Sequence, residues 1–208
     1  MSTPLSTRIY TAGSEVVWMA QLNLLWIVCT LAGGVVFGLG PATIAAYTLA
    51  RRHVQGESIH ATVEFWRVYR REFVRSSLVI LPVALVATVL FGNYLSFSAL
   101  GPGAGGPRIV TFVALLALAG VGTYVGPLYA HYDLPLRAYL PKASLLAITR
   151  PAASVLLVFV LLTVVFVTAA VPILAPLISV GAWIHLNTWL CLRFFEENEA
   201  RLHAKGNS

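Results

Sequence analysis

VVFGLGPATIAAYTLARRHVQGE, residues 35–57, is the stretch whose reading decides the fold. It opens as membrane-grade apolar sequence, is interrupted by Gly38, Gly40 and Pro41, turns apolar again and ends in Arg51 and Arg52. Proline suits the first turn of a helix, where its missing N–H has no intrahelical partner to lose. Glycine lets the chain redirect. Gly38, Gly40 and Pro41 are therefore expected to form a helix break, ending one helix and starting the next. The arginines that follow mark the edge of the apolar region.

Composition sets the class. The chain has 208 residues, 58% hydrophobic and 11% charged, whereas a soluble domain carries about 25% charged residues. This is the composition of an integral membrane protein, all-α, with residues 1–195 forming one transmembrane helical domain and 196–208 a polar tail. The net charge of +6 does not point to nucleic acid, because the basic residues sit in short loops between apolar runs. Cys29 and Cys191 form no CxxC pair and lie in apolar segments, which argues against a metal or disulfide framework.

Apolar tracts without Lys, Arg, Asp or Glu place the spans. A helix needs about 20 residues to cross about 30 Å of hydrocarbon. Spans are expected at 76–98, 109–131, 151–171 and 176–195, with Pro172 and Pro176 dividing the last two and GPGAGGP at 101–107 forming a turn. Tract 16–50 is ambiguous. Either 16–37 crosses and 41–55 is a separate interfacial helix, or the two halves form a tight hairpin. The expectation is thus a polytopic bundle of about five spans, with six possible. Basic segments 51–75 and 132–150 and the C-terminus are expected on the cytoplasmic side of the membrane, since two spans separate each from the next.

Residues 60–74, HATVEFWRVYRREFV, read as an amphipathic helix. Thr62, Phe65, Trp66, Tyr69 and Phe73 share one face; Glu64, Arg67, Arg70, Arg71 and Glu72 take the remainder. Such a helix can lie in the cytoplasmic interface against anionic headgroups, cover the ends of the spans, or dock a partner. Trp66, Arg67, Arg70 and Arg71 are the candidate contacts to lipid or partner.

Few residues suggest chemistry. His185 stands midway along the last span, with Asn187 two residues on, and a titratable group at that depth is a functional candidate. Gln21 and Asn23 add amides to the first span. Together His185, Asn187, Gln21 and Asn23 form a possible intramembrane polar site, although each can equally be satisfied by one interhelical hydrogen bond. Gly34–Gly38 and Gly122–Gly126 are small-xxx-small pairs that permit close helix approach. No catalytic motif, phosphate loop, zinc signature or cofactor motif occurs, so no enzyme, metal or cofactor is expected.

The succession NLLW (Asn23 to Trp26), GLGPATIAAY (Gly38 to Tyr47) and FWRVYRREF (Phe65 to Phe73) resembles the YesL-like family of bacterial membrane proteins, a domain of unknown function. The likeness extends over residues 10–195, with its most specific part in 23–75. The resemblance implies a multi-span membrane protein whose genes often lie beside those for carbohydrate uptake, especially sugar ABC transporters. It implies no catalytic or ligand residues. On that ground the expected role is a non-enzymatic accessory of a sugar ABC transporter permease. The alternative is a small autonomous transporter or channel for a polar solute, lined by His185 and its neighbours.

Overall fold

The computed structural model describes the backbone of residues 5–206 and the side chains of 12–101 and 103–195. Eight α-helices and no strand occur among the described residues. They are α1 (Leu5–Ala32), α2 (Val36–Val54), α3 (Ala61–Arg71), α4 (Phe73–Ala99), α5 (Gly105–His131), α6 (Leu136–Thr149), α7 (Pro151–Ala170) and α8 (Val180–Gly206). Five segments are long and apolar enough to cross a membrane: Ala12–Ala32, Phe73–Ala99, Gly105–His131, Pro151–Ala170 and Ala175–Phe195. Their edges fall within a few residues of the expected spans. The side chains of the tail at 196–208 lie outside the described residues; the backbone of α8 continues to Gly206.

The surface fits a lipid environment. Leu85, Phe91, Val155, Phe159 and Phe166 of α4 and α7 are exposed. In water such a patch would be a liability, whereas in hydrocarbon it is the required exterior. A bilayer offers the backbone no hydrogen bonds, so a Val-rich run such as that of α7 has no alternative to helix. Pro151 opens α7 at its first turn, where its absent N–H costs nothing.

At the centre stands α2, packed against α1, α3, α4, α5 and α8. Ala42, Ala45, Ala46, Leu49 and Ala50 are wholly buried. Small side chains let neighbouring backbones approach closely, which is how membrane helices gain packing energy. Arg51, Arg52 and His53 in its last turn keep α2 outside the set of apolar spans.

The break is not where the sequence suggested. It falls at Gly33–Gly34–Val35, and Gly38, Gly40 and Pro41 lie inside α2. The end of α1 is a Schellman cap: Val35 N donates to Thr30 O at 2.9 Å and Gly34 N to Leu31 O at 3.0 Å, with Gly34 left-handed at φ 71°. Glycine suits that position because it has no Cβ to clash. Val35 follows at φ 63°, a rare conformation for a β-branched residue. Of the two readings of tract 16–50, the tight hairpin is the observed one. Trp26 Nε1 donates to Thr43 Oγ1 at 3.1 Å across it, and Glu15 of α1 meets His53 at the far end of α2.

The three residues of the expected break have other uses. Gly38 crosses α1 so closely that a side chain would overlap the Thr30 carbonyl. Gly40 lies on α4, where a Cβ would come within 2.9 Å of the Ser77 backbone. Pro41, sixth in the helix, cannot donate to Phe37 O; the Ser77 hydroxyl lies 3.3 Å from that carbonyl, but its one proton is better placed for Phe73 O at 2.7 Å.

Helix α3 covers the bundle rather than lying with its aromatic face in lipid. Phe65, Val68 and Tyr69 are buried and join the core with α2. Trp66 stacks on Tyr69 at 5.5 Å between ring centroids but is itself exposed. Helix α6 was not anticipated; residues 132–150 read as a loop. Its buried side chains Tyr139 and Ala143 pack with Tyr124, Leu128 and Tyr129 of α5.

Candidate functional site

The four residues proposed as one polar site occupy four different settings. Asn23 is wholly buried and clamps the distorted turn that precedes α8. Residues Ala175–Ser179 form one π-helical turn, a geometry that misaligns the backbone groups around it. Asn23 Nδ2 donates to Ala175 O at 3.2 Å and Pro176 O at 2.7 Å. Its Oδ1 accepts from Val180 N at 2.8 Å and Gly181 N at 3.1 Å. Every hydrogen-bonding position of the amide is used. Gly181 makes the approach possible, since a side chain there would overlap the Met19 carbonyl.

Asn187 repeats this arrangement at another proline. Pro127 cannot donate to Thr123 O, and Asn187 Nδ2 donates to that carbonyl at 2.9 Å. Its second N–H donates to Tyr47 Oη at 2.8 Å, and its Oδ1 lies 3.4 Å from Cys191 Sγ. Asn187 is also wholly buried. The Tyr47 ring lies against Gly126, where a Cβ would overlap it. Asn187 thus supplies a hydrogen bond to backbone that proline has left unmatched, and Asn23 adds side-chain bonds around the π-turn, as an apolar surrounding demands.

His185 faces Glu15 and His53. Its Nε2 lies 3.5 Å from Glu15 Oε2, and His53 Nε2 lies 3.1 Å from the same oxygen. Trp18 stacks on His53 at 4.1 Å between ring centroids, and the two imidazoles are 5.7 Å apart. Reading tract 16–50 as charge-free set Glu15 outside it, yet the first membrane-length segment begins at Ala12 and includes this carboxylate. His185 stands out in the sequence as a titratable group within a span, and its two partners do not. The available signal was that Glu15 is the acid nearest the first apolar run.

Gln21 is separate again. It lines a cleft of about 470 Å³ with Trp18, His53, Glu57 and His60. On its far side the link from α2 to α3 is held by Arg52, which bonds Glu57 and reaches Glu64 at 3.2 Å. The Glu57 carboxylate raises the pKa of Arg52 further above its ordinary value. Among the described residues, no group of three His, Cys, Asp or Glu is placed to hold a metal ion.

The basic helix presents two surfaces. Val63, Trp66, Arg67 and Arg70 are exposed at i, i+3, i+4 and i+7, one face of a helix. Arg67 leans on Glu64 at 2.8 Å, an exposed pair that contributes little to stability. Arg71 belongs elsewhere: it bonds Glu72 at 2.9 Å and lines a different cleft, with α2 and α5. Burial raises the pKa of the Tyr69 hydroxyl on the inner side.

This architecture can be set beside known proteins. The uncharacterized protein YesV of Bacillus subtilis (strain 168) is 31% identical over 99% of this chain and 100% of its own length. The family described as "Protein of unknown function, DUF624" matches residues 19–94. The chain belongs to the DUF624 family. Two further uncharacterized proteins of that bacterium are similar: YesL, 35% identical over 67% of this chain and 66% of its own length, and YteU, 29% over 78% and 73%. No solved structure matches the chain. The DUF624 segment holds most of the α1–α2 hairpin, all of α3 and most of α4. It therefore includes α2, Asn23 and the outer face of α3, while the turn that Asn23 clamps, α5, α8, His185 and Glu15 fall outside it.

Proposed function

We propose that this DUF624 protein is a non-enzymatic accessory of a carbohydrate ABC importer in the bacterial plasma membrane, docking the importer's permease through the outer face of α3. One contrast carries the proposal. The amides that could have lined a solute path, Asn23 and Asn187, are buried and fully bonded to backbone and Tyr47, whereas Val63, Trp66, Arg67 and Arg70 remain exposed. Tryptophan and arginine are the residues that most often dominate protein interfaces, and Arg67 and Arg70 suit an acidic partner surface. The YesL-like resemblance supplies the partner class. In this reading α3, α6 and the C-terminus face the cytoplasm, in keeping with their Lys and Arg. The test is affinity purification of the tagged protein in mild detergent from its native membranes, with mass spectrometry. Reproducible recovery of a sugar permease is the expected result; recovery of the protein alone overturns the accessory role.

A second reading is an autonomous transporter for a polar solute. Glu15, His53 and His185 favour it, because ionisable groups gathered at the edge of a span are functional candidates and His53 lines the cleft that contains Gln21. Uptake of a polar solute into liposomes containing only this protein, lost on His185→Ala, would establish it. Sealed liposomes without uptake would sink it.

A further inference from the structure

A second cleft, of about 430 Å³, opens where the later half of α2 meets the α3–α4 junction and the end of α5. Its ionisable lining comprises Arg51, Arg71, Glu72, Arg75, His131 and Asp133. Both acids are already engaged. Glu72 accepts from Arg71 Nε at 2.9 Å and from Tyr129 Oη at 2.8 Å. Asp133 accepts from Arg75 at 2.8 Å, and the same guanidinium nitrogen donates to Leu134 O at 2.8 Å. Two arginines are thereby matched by two carboxylates. Arg51 is left over: it has no ion pair among the described residues, and its Nε–H is buried without an acceptor.

That imbalance has a direction. A buried donor with no acceptor is unfavourable, and more so when it carries charge. Guanidinium is not deprotonated in proteins, so Arg51 cannot relieve the cost by losing a proton. A planar guanidinium pairs with tetrahedral oxyanions through parallel N–H bonds. The cleft is also large enough for more than one water-sized group, and its polar rim keeps it accessible to solutes or headgroups.

We propose that this cleft binds a phosphate group, with Arg51 as its principal contact and Arg71 beside it. Arg75 holds the segment at Asp133 and Leu134 that forms the opposite wall. The phosphate can arrive on an anionic lipid or on a small soluble molecule, and the protein–phosphate contacts are the same in either case.

The test uses the full chain. Inorganic phosphate is titrated on the protein in maltoside micelles, which carry no phosphate, and thermal stabilisation is read. In parallel, nanodiscs containing phosphatidylglycerol are examined by native mass spectrometry for lipid that stays on the released protein. Stabilisation by phosphate identifies a soluble source; retention of phosphatidylglycerol without it identifies the lipid. In whichever arm responds, Arg51→Gln is expected to weaken binding about tenfold or more, the loss of one charge-assisted contact. Arg67→Gln, on the exposed face of α3 outside the cleft, is expected to leave it unchanged. Should Arg51→Gln not fold, Arg71→Gln, whose side chain is 67% exposed, gives the same reading. No response in either arm, or equal binding by the wild type and the folded cleft variants, overturns the proposal.

Discussion

Asn23 and Asn187 show how a polar residue in a membrane helix can be structural. Each completes backbone hydrogen bonding that proline or a π-turn has disturbed, so removing it strands donors and acceptors inside the bundle. Asn23→Ala removes the side-chain partner of two carbonyls and two N–H groups around the π-turn and should destabilise the protein by about 2–4 kcal/mol, using about 1–3 kcal/mol for a buried group left unpaired and allowing for the backbone bonds of the turn that remain. Asn187→Ala should cost about 1–3 kcal/mol on the same basis. Thermal stability in detergent reads both. A protein that keeps wild-type stability while losing a transport activity would instead assign these amides to a solute path. The glycine pairs separate in the same way. Gly126→Ala drives a methyl into the Tyr47 ring, whereas nothing lies within 4 Å of a methyl at Gly122. The first should cost about 1–3 kcal/mol, as overpacking does, and the second should be neutral. Equal sensitivity of both would point to a helix dimer face rather than to intramolecular packing.

At the scale of elements, the turn between α1 and α2 belongs to Gly34 and not to Pro41. Gly34→Ala places a Cβ in the left-handed region, at about 1–2 kcal/mol, and should lower stability by that amount. Pro41→Ala restores an N–H to the Phe37 carbonyl inside an α2 that is already continuous there, so cysteine labelling across residues 51–59 should be unchanged. Altered labelling with Pro41→Ala and silence with Gly34→Ala would return the break to Pro41. The spans were legible because length and apolarity are properties of one segment taken alone. Matches between segments were not. Pro41 and Pro127 announce that Phe37 O and Thr123 O lose their helical donors, but only the fold shows that Asn187 replaces the second and that the Ser77 hydroxyl comes near the first. Helix α6 was hidden for a different reason. Arg137, Pro141 and Lys142 interrupt it, and its apolar positions Leu136, Tyr139, Leu140 and Ala143 become a face only once a helix is assumed. Glu15 stood at the margin of a charge-free tract, so its position between His53 and His185 became visible only when α1, α2 and α8 were brought together.

For the whole molecule, the division of the α3 arginines is the feature that connects fold to partner. The sequence placed Arg67, Arg70 and Arg71 in one group; the structure turns Arg67 and Arg70 outward and Arg71 toward Glu72 and the phosphate-binding cleft. Since the inner side of α3 is anchored by Phe65, Val68 and Tyr69, its outer side can change without loosening the bundle. Reversing charge at both outer positions, Arg67→Glu with Arg70→Glu, should reduce permease recovery about tenfold or more, if each desolvated contact contributes about 1 kcal/mol or more at the interface. Membrane insertion and thermal stability should stay at wild-type levels, because exposed pairs such as Arg67–Glu64 contribute little. Quantitative mass spectrometry of the co-purified permease, normalised to the tagged protein, gives the ratio. Unchanged recovery would remove α3 from the interface. Loss of insertion would instead assign these two charges to topology, where Lys and Arg near the ends of spans hold their loops on the cytoplasmic side. Trp66→Ala distinguishes the two, since it removes an exposed aromatic side chain without altering charge: it should weaken recovery if α3 docks a partner and change nothing if the arginines act only on orientation.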